Sequence, residues 1–104
     1  MNLKFEWNVK KAAKNLKKHK VGFEEAQTVF EDEAAFIFPD ELHSTDEDRE
    51  IIIGHSSRNR LLLVCFVERI VDVIRIFSAR RAEENERADY EENAGIKSSR
   101  NSNK

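Results

Sequence analysis

The apolar run Arg60-Leu61-Leu62-Leu63-Val64-Cys65-Phe66-Val67-Glu68 decides the fold, because two similar runs flank it. All three are rich in the large apolar and β-branched residues that favour strands. The joints, 57–59 and 69–70, are short enough only for hairpins. We therefore predict three consecutive antiparallel strands, at about Glu50–Ser56, Arg60–Glu68 and Val71–Ser78.

The sequence pattern of the N-terminal third predicts one strand and two helices. Leu3, Phe5 and Trp7 alternate with charged residues, as in a half-buried strand. Asn8 is a suitable N-cap for a helix that ends near His19-Lys20. The apolar stripe of that helix is predicted from the spacing of Val9, Ala12, Ala13 and Leu16. A second, short helix follows, with one stripe formed by Phe23, Ala26 and Phe30.

The remaining segments complete an α+β order. A strand is predicted over Ala35–Phe38, ended by Pro39, which donates no amide to a sheet. Residues 40–48 are acidic and predict an exposed loop. A last helix is predicted over about Glu84–Asn93, and residues 94–104 lack periodicity, so we expect a disordered tail there. The order β-α-α-β-β-β-β-α indicates one α+β domain over residues 1–93, an antiparallel meander with helices packed against a face.

Length and composition restrict the class of protein. The chain has 104 residues, of which 39% are hydrophobic and 37% charged, as in a globular domain with a charged surface. Its lone Cys65 excludes an internal disulfide and a cysteine-based zinc site. HxxxH, HExxH and glycine-rich phosphate-binding patterns are absent, so we expect no metal and no cofactor. We also expect a cytoplasmic location without membrane contact, because no signal peptide or long apolar stretch occurs.

Charge is distributed unevenly, although the formal net charge is only −2. Residues 1–23 contain seven Lys and one Glu, and residues 51–81 contain six Arg and two acids. Residues 24–50 contain eleven acids and one base, Arg49. The two basic blocks can form a face that binds nucleic acid, or they can pair with the acidic block across the surface. Charge alone leaves both interpretations open.

Three groups of residues together resemble one protein family. The first is Lys4–Asn8 with Lys11-Ala12, Asn15 and Lys18–Ala26; the second is Arg49 with Ile51–Gly54 and Arg60–Leu62; the third is Ile74–Ala82 with Glu86-Arg87 and Tyr90-Glu91. In this order and spacing, over about residues 2–92, the chain resembles the BrnT ribonuclease toxins of bacterial type II toxin–antitoxin pairs. The resemblance implies a RelE-like fold and an endoribonuclease that cleaves RNA without metal and inhibits translation.

The same resemblance implies a partner. BrnT-like toxins are neutralised by a BrnA-like antitoxin with a ribbon-helix-helix end, and DNA is contacted only indirectly, through the toxin–antitoxin complex. Some positions depart from the family pattern: Asn8 replaces a capping Asp, Lys20 a Gly and Gly22 a Ser. Glu83 stands where Thr would form a capping box with Glu86, so the last helix begins with a weaker signal.

RNA cleavage requires stabilisation of the charge on the scissile phosphate. Arginine is the residue type best suited to this task, because its planar guanidinium binds two phosphate oxygens together. Arg75 interrupts an apolar strand, so it requires either a carboxylate partner, such as Glu68 or Asp72, or a place at a ligand-facing part of the sheet. Arg80 and Arg81 precede the last helix, whose N-terminal amides favour an anion. We assign Arg49, Arg75 and Arg80 to phosphate stabilisation, and RNA binding to Lys18, Arg58, Arg60 and Arg81.

Proton transfer requires titratable groups, and three residues are candidates: His19, Glu86 and Tyr90. His19 either acts as a base or caps its helix. Glu86 and Tyr90 are four residues apart and share a helix face, where they either take part in catalysis or support packing and orient an arginine. His43 is interpreted as a solvated loop residue, and His55 as a weaker candidate.

Two rival interpretations remain from the sequence. The chain is either a non-catalytic interaction module, whose arginines dock acidic groups of a partner, or an inactive toxin homologue that keeps the fold, which Lys20 and Glu83 leave open. Sequence alone leaves undecided which arginines share a face of the sheet.

Overall fold

The chain, in a computed structural model that describes residues 2–43 and 47–102 (the backbone alone from 96 onward), has the predicted order of strands and helices. The elements are β1 (Lys4–Glu6), α1 (Val9–His19), α2 (Phe23–Gln27), β2 (Phe36–Pro39), β3 (Glu50–His55), β4 (Leu61–Ile70), β5 (Val73–Arg81) and α3 (Glu84–Ser102). A short 3-10 helix, Thr28–Glu31, continues α2. Among the described residues, no helix is both long enough and apolar enough to cross a membrane.

The five strands form one mixed sheet in the order β1-β5-β4-β3-β2. Strands β2 to β5 pair antiparallel with their chain neighbours, so the predicted meander is confirmed. β1 pairs parallel with β5, and the prediction of a purely antiparallel sheet was therefore wrong. The alternation of Leu3, Phe5 and Trp7 indicates which side chains are buried, but it contains no information on the direction in which an edge strand pairs.

The two faces of the sheet have different covers. Its core face carries Ile52, Leu62, Val64, Ile74 and Ile76, which pack with apolar residues of α1, α2 and the 3-10 helix. The opposite face, here the site face, carries Ile51, Ile53, Leu61, Leu63 and Phe77, and α3 covers part of it through Tyr90 and Ala94. Helices therefore lie on both faces of the sheet, whereas we had expected them on one face only. The rest of the site face stays open.

Helix α1 is fixed to the edge of β5 by a buried asparagine. The Asn15 carboxamide donates to the Ala79 carbonyl at 2.9 Å and accepts from the Ala79 amide at 3.1 Å, and so supplies the bonds of a missing neighbouring strand. It also donates to the Val21 carbonyl at 2.9 Å. The predicted apolar stripe of α1 was wrong in part, because Val9 and Leu16 are exposed. Ala12 and Asn15 face the protein instead.

A bulge at Phe77 changes the alternation of β5. Ser78 pairs with Cys65 and Ile76 with Phe66, so Phe77 has no partner on β4. Such an extra residue shifts all later side chains by one position. Ala79 therefore joins Ile74 and Ile76 in the core, and Arg80, opposite Leu63, joins Phe77 on the site face.

The ends of helices α1 and α3 show how far local signals reach. Asn8 caps α1, its side chain accepting from the Lys11 amide at 3.0 Å, and the helix ends at the left-handed Lys20, as predicted. The predicted end of α3 at Asn93 was wrong, because the helix continues to Ser102. Missing apolar periodicity in a sequence argues against an amphipathic helix, which is not the same as arguing against helix. Residues 103–104 of the predicted tail lie outside the described residues.

Candidate active site

The open part of the site face forms a pocket with a volume of about 550 Å³, here called the basic pocket. One helix, one loop and the sheet line it. Helix α1 contributes one wall, the loop between β2 and β3 contributes the other, and strands β4 and β5 form the floor. Its lining includes the side chains of Lys11, Lys18, His19, Asp40, His43, Arg49, Cys65, Phe77 and Arg80. The pocket thus brings together four of the predicted site residues, namely His19, Arg49, Arg80 and Lys18.

Arg80 is held in place by Glu86. Its two terminal nitrogens bind the two carboxylate oxygens of Glu86 at 2.9 and 2.7 Å, in a bidentate pair. The hydrogen bonds from Arg80 hold the pKa of the Glu86 carboxyl below its ordinary value. Glu86 also accepts from the Glu83 amide at 2.8 Å, which is half of a capping box. The carboxylate therefore joins the start of α3 to the guanidinium in the pocket.

Arg49 and Lys11 lie on opposite walls and meet at one aromatic ring. The Arg49 guanidinium carbon is 3.8 Å from the centre of the Phe77 ring, and the Lys11 ammonium nitrogen is 5.4 Å from it. Both distances fall within the range of cation–π attraction. The Phe77 ring at the bulge therefore holds two cations near Arg80.

Two histidines line the pocket. His19 is the last residue of α1, and His43 belongs to the β2–β3 loop, where its Nδ1 lies 3.0 Å from an Asp40 carboxylate oxygen. Burial raises the pKa of Asp40, but hydrogen bonds from Cys65 and His43 outweigh it, and the net shift is downward. Asp40 is therefore an ionised partner for His43 at neutral pH. Within the described ranges 2–43 and 47–95, no three His, Cys, Asp or Glu side chains group as a metal site.

Cys65 is not a nucleophile in this arrangement. Burial, helped by the Asp40 carboxylate that accepts from its thiol at 3.2 Å, raises the pKa of Cys65 to about 12. A thiol attacks only as the thiolate, which is scarce at neutral pH when the pKa is so high. Cys65 is therefore a structural thiol in the floor of the pocket.

Other predicted site residues lie outside the basic pocket. Arg75 binds Glu6 of β1 at 2.9 Å, its neighbour in the parallel register, and so has a carboxylate partner that differs from Glu68 and Asp72. Arg60 binds Glu25 of α2 and the Lys20 carbonyl, behind the pocket. Two further arginines are exposed, one in the β3–β4 turn and one at the end of β5: Arg58 and Arg81.

Tyr90 also lies outside the pocket, in a polar network beneath α3. Its hydroxyl donates to Asp32 at 2.7 Å and lies 3.1 Å from His55 Nδ1. Burial, together with the Asp32 carboxylate, raises the pKa of Tyr90. The Asp32 segment packs so closely that a Cβ added to Gly54 would come within 2.8 Å of the Ala35 Cβ. The network therefore fixes α3 on the sheet.

Sequence reasoning missed four members of the arrangement. Lys11 and Asn15 could have been found from their spacing, since Lys11, Asn15 and Lys18 lie on one helix face. An apolar stripe does not reveal them, because none of the three is apolar. Phe77 gave no sequence signal for a place in the pocket, because its half-buried position there depends on the bulge. His43 was interpreted as a solvated loop residue, and its side chain is indeed mostly exposed, but it also lines the pocket beside Asp40, three residues before it.

A mixed five-stranded sheet with helices on both faces and a pocket that holds Arg49 and Arg80 defines a small α+β protein with a site suited to anions. A family model described as "Ribonuclease toxin, BrnT, of type II toxin-antitoxin system" matches residues 7–86. The chain therefore belongs to the BrnT family of ribonuclease toxins, and the resemblance noted in the sequence is confirmed. All residues of the basic pocket fall within the matched range.

One solved structure agrees with this fold. The ribonuclease toxin BrnT of Brucella abortus is similar to this chain with a TM-score of 0.62 and 24% identity, over 80% of this chain and 100% of that one. At this identity the likeness supports the fold alone. No curated protein matches the chain.

Proposed function

We propose that the chain is an endoribonuclease that cleaves RNA in the basic pocket without a metal ion and so inhibits translation. The observation that carries the proposal is the Arg80–Glu86 pair beside His19, Arg49 and Phe77. A bidentate carboxylate fixes the guanidinium before substrate arrives, and a fixed donor stabilises a developing negative charge better than a mobile one. Arg49 and Lys18 add charge for the neighbouring phosphates.

The two histidines supply the proton transfers. In the proposed step the RNA 2′-oxygen attacks the adjacent phosphorus and the bond from phosphorus to the 5′-oxygen breaks. One imidazole takes the proton of the 2′-hydroxyl, and the other gives a proton to the leaving 5′-oxygen. Glu86 serves as a positioning residue, because its lowered pKa makes it a weak base. The products are a 2′,3′-cyclic phosphate and a 5′-hydroxyl.

The experiment is cleavage of an end-labelled RNA by the purified protein in the presence of EDTA. We expect fragments with 2′,3′-cyclic phosphate ends, and an RNA with a single 2′-deoxy substitution at the cleavage site should stay intact there. A rate that falls at both low and high pH, with one limb lost in His19→Asn and the other in His43→Asn, supports the histidine roles. Cleavage that requires added Mg²⁺ would contradict the proposal.

The same assay separates the rivals. We propose that a BrnA-like antitoxin, which the type II classification of the family supports, binds the chain and stops cleavage. A folded protein that binds this antitoxin but leaves RNA intact under all conditions would be an interaction module or an inactive homologue.

A further inference from the structure

A second cavity, here called the acidic groove, lies between α3 and the strands β2 to β4. Its volume is about 410 Å³. The floor is apolar and consists of Phe36, Phe38, Ile53 and Leu63. Along α3, the rim carries Glu86, Asp89, Glu92 and Asn93. An apolar floor with a rim of one charge sign is typical of a surface that another chain covers.

Asn93 gives an independent sign of an absent partner. Its side-chain nitrogen Nδ2 is buried and has no hydrogen-bond acceptor among the residues that the structure describes. A buried amide without a partner is costly and is seldom left so in a completed interface. Because Asn93 lines the groove, a rotation of its side chain can present this amide to a carbonyl of a bound chain.

We infer that the acidic groove is the docking site for a basic, apolar segment of the antitoxin. The identity of the partner rests on the proposed function, whereas the chemistry of the bound segment is inferred from the groove itself. Apolar side chains fit the floor, a Lys or Arg of the segment pairs with Asp89 and Glu92, and a backbone carbonyl accepts from Asn93.

The groove also adjoins the basic pocket. Leu63 lines both cavities, and Glu86 lines the groove while it binds Arg80. A cation of the bound segment competes with Arg80 for the Glu86 carboxylate. Docking in the groove therefore acts on the residue that we assign to phosphate stabilisation, without filling the basic pocket.

The rim reverses in charge when Asp89→Lys and Glu92→Lys are combined. We expect this double variant to bind a purified BrnA-like antitoxin about 10- to 100-fold more weakly than the wild type, because like charges then face each other. Glu91→Lys with Glu84→Lys is the matched control, since both residues are exposed on α3 and neither lines the groove. The control should bind as the wild type does.

RNA cleavage by each variant, measured without antitoxin, separates this inference from the proposed function. The rim variant should cleave normally, because Asp89 and Glu92 lie outside the basic pocket. The side-chain amide signal of Asn93 in an NMR spectrum should shift when the antitoxin binds, which tests the groove without any substitution. Unchanged affinity of a folded rim variant, an unshifted Asn93 signal, or no binding by the wild type would overturn the inference, as would a groove-dependent dimer of this chain.

Discussion

The role of Glu86 distinguishes two mechanisms, one in which it is the catalytic base and one in which it positions Arg80. Its carboxylate binds both terminal nitrogens of Arg80, and these bonds lower its pKa, so it is ionised and already occupied at neutral pH. Arg80 has the complementary position, with its pKa raised by the same hydrogen bonds. The pair is a device for positioning, in which neither group is ready to exchange a proton.

Glu86→Gln tests that role at the scale of one residue. The amide keeps the shape but loses the charge and one acceptor oxygen, so we expect kcat for RNA cleavage to fall by about 10- to 100-fold through misplacement of Arg80. The positions of both limbs of the pH profile should stay unchanged, since no proton-transfer group is removed. Glu84→Gln in the same helical turn is the control and should cleave normally. Loss of one limb would instead identify Glu86 as a base.

Arg75 shows where residue-level reasoning from sequence succeeds and where it fails. A charge inside an apolar strand requires a partner, and that requirement is met by Glu6. The functional interpretation of Arg75 rested on this charge within an apolar strand. The sequence could not reveal that Glu6, 69 residues away, lies beside it on a parallel strand. Arg80, by contrast, reaches the pocket only because of the bulge at Phe77.

At the scale of elements, the turn after α1 is strained. Lys20 occupies the left-handed region with φ 60°, where a side chain clashes with its own backbone and glycine does not. Its amide still caps the helix by donating to the Leu16 carbonyl at 2.9 Å. The turn places His19 in the pocket and also presents the Lys20 carbonyl to Arg60.

Lys20→Gly should therefore stabilise the protein. Relief of the left-handed strain is worth about 1–2 kcal/mol, and the greater freedom of glycine in the unfolded chain offsets about half of it. We expect the free energy of unfolding in urea to rise by about 0.5–1 kcal/mol. The same change at Lys17, inside α1, should lower it by about 1 kcal/mol. A destabilised Lys20→Gly protein would show that the Lys20 side chain contributes more than its strain costs.

The hairpin between β3 and β4 is tied to α2 by Arg60 and Glu25. Arg60 Nε donates to Glu25 at 2.9 Å, and its Nη2 makes a second, shorter contact with the same carboxylate. Hydrogen bonds from Arg60, opposed by burial, hold the pKa of Glu25 below its ordinary value of 4.5. A carboxyl whose pKa is lower folded than unfolded stabilises the protein above the unfolded pKa, and this stabilisation is lost as the pH falls through the folded one.

Glu25→Gln should consequently cost stability at neutral pH but not in acid. We expect the free energy of unfolding to fall by about 1–2 kcal/mol at pH 7, with the difference from wild type shrinking as the pH drops below 4.5. Denaturation curves at several pH values measure this. Glu24→Gln, at an exposed neighbouring position, provides the comparison and should lose little at any pH. A deficit that is constant from pH 7 to pH 3 would contradict the account.

Most of the elements were predictable, because their signals are local. Apolar runs and short joints indicate the meander, and Asn8 indicates the start of α1. Contacts between distant segments were not predictable: the parallel pairing of β1, the edge bond of Asn15 to Ala79 and the approach of His43 to Asp40 depend on register and loop path. The candidate site was therefore predicted in part, through His19, Arg49, Arg80 and Lys18.

At the scale of the whole molecule, positive charge is concentrated although the net charge is −2. The basic pocket gathers Lys11 and Lys18 of the first block, Arg80 of the third and Arg49, the one base of the acidic block, while acids line the groove on the other side of Glu86. Each interpretation has a counterpart in the arrangement of the charges: Arg60 pairs with the acidic Glu25, whereas Lys11, Lys18 and Arg80 of the two basic blocks line one pocket.

RNA affinity should accordingly depend on salt through the pocket lysines. We expect Lys11→Ala with Lys18→Ala to reduce the slope of log affinity against log salt concentration by about 1.4 for a single-stranded, uncleavable 2′-deoxy analogue, since each phosphate contact contributes about 0.7. Lys10→Ala with Lys17→Ala changes the same charge on another face of α1 and should reduce the slope less. Equal slopes for the two pairs would mean that RNA does not follow the basic pocket.

The central claim is that RNA is cleaved at Arg80 in the basic pocket. Its most direct test is the rate of RNA cleavage in EDTA by folded Arg80→Ala protein, compared with Arg58→Ala, which removes an exposed arginine outside the pocket. Loss of one fixed donor to the transition state predicts a fall of about 100- to 1000-fold for Arg80→Ala and almost none for Arg58→Ala. Wild-type cleavage by a folded Arg80→Ala protein would contradict the account.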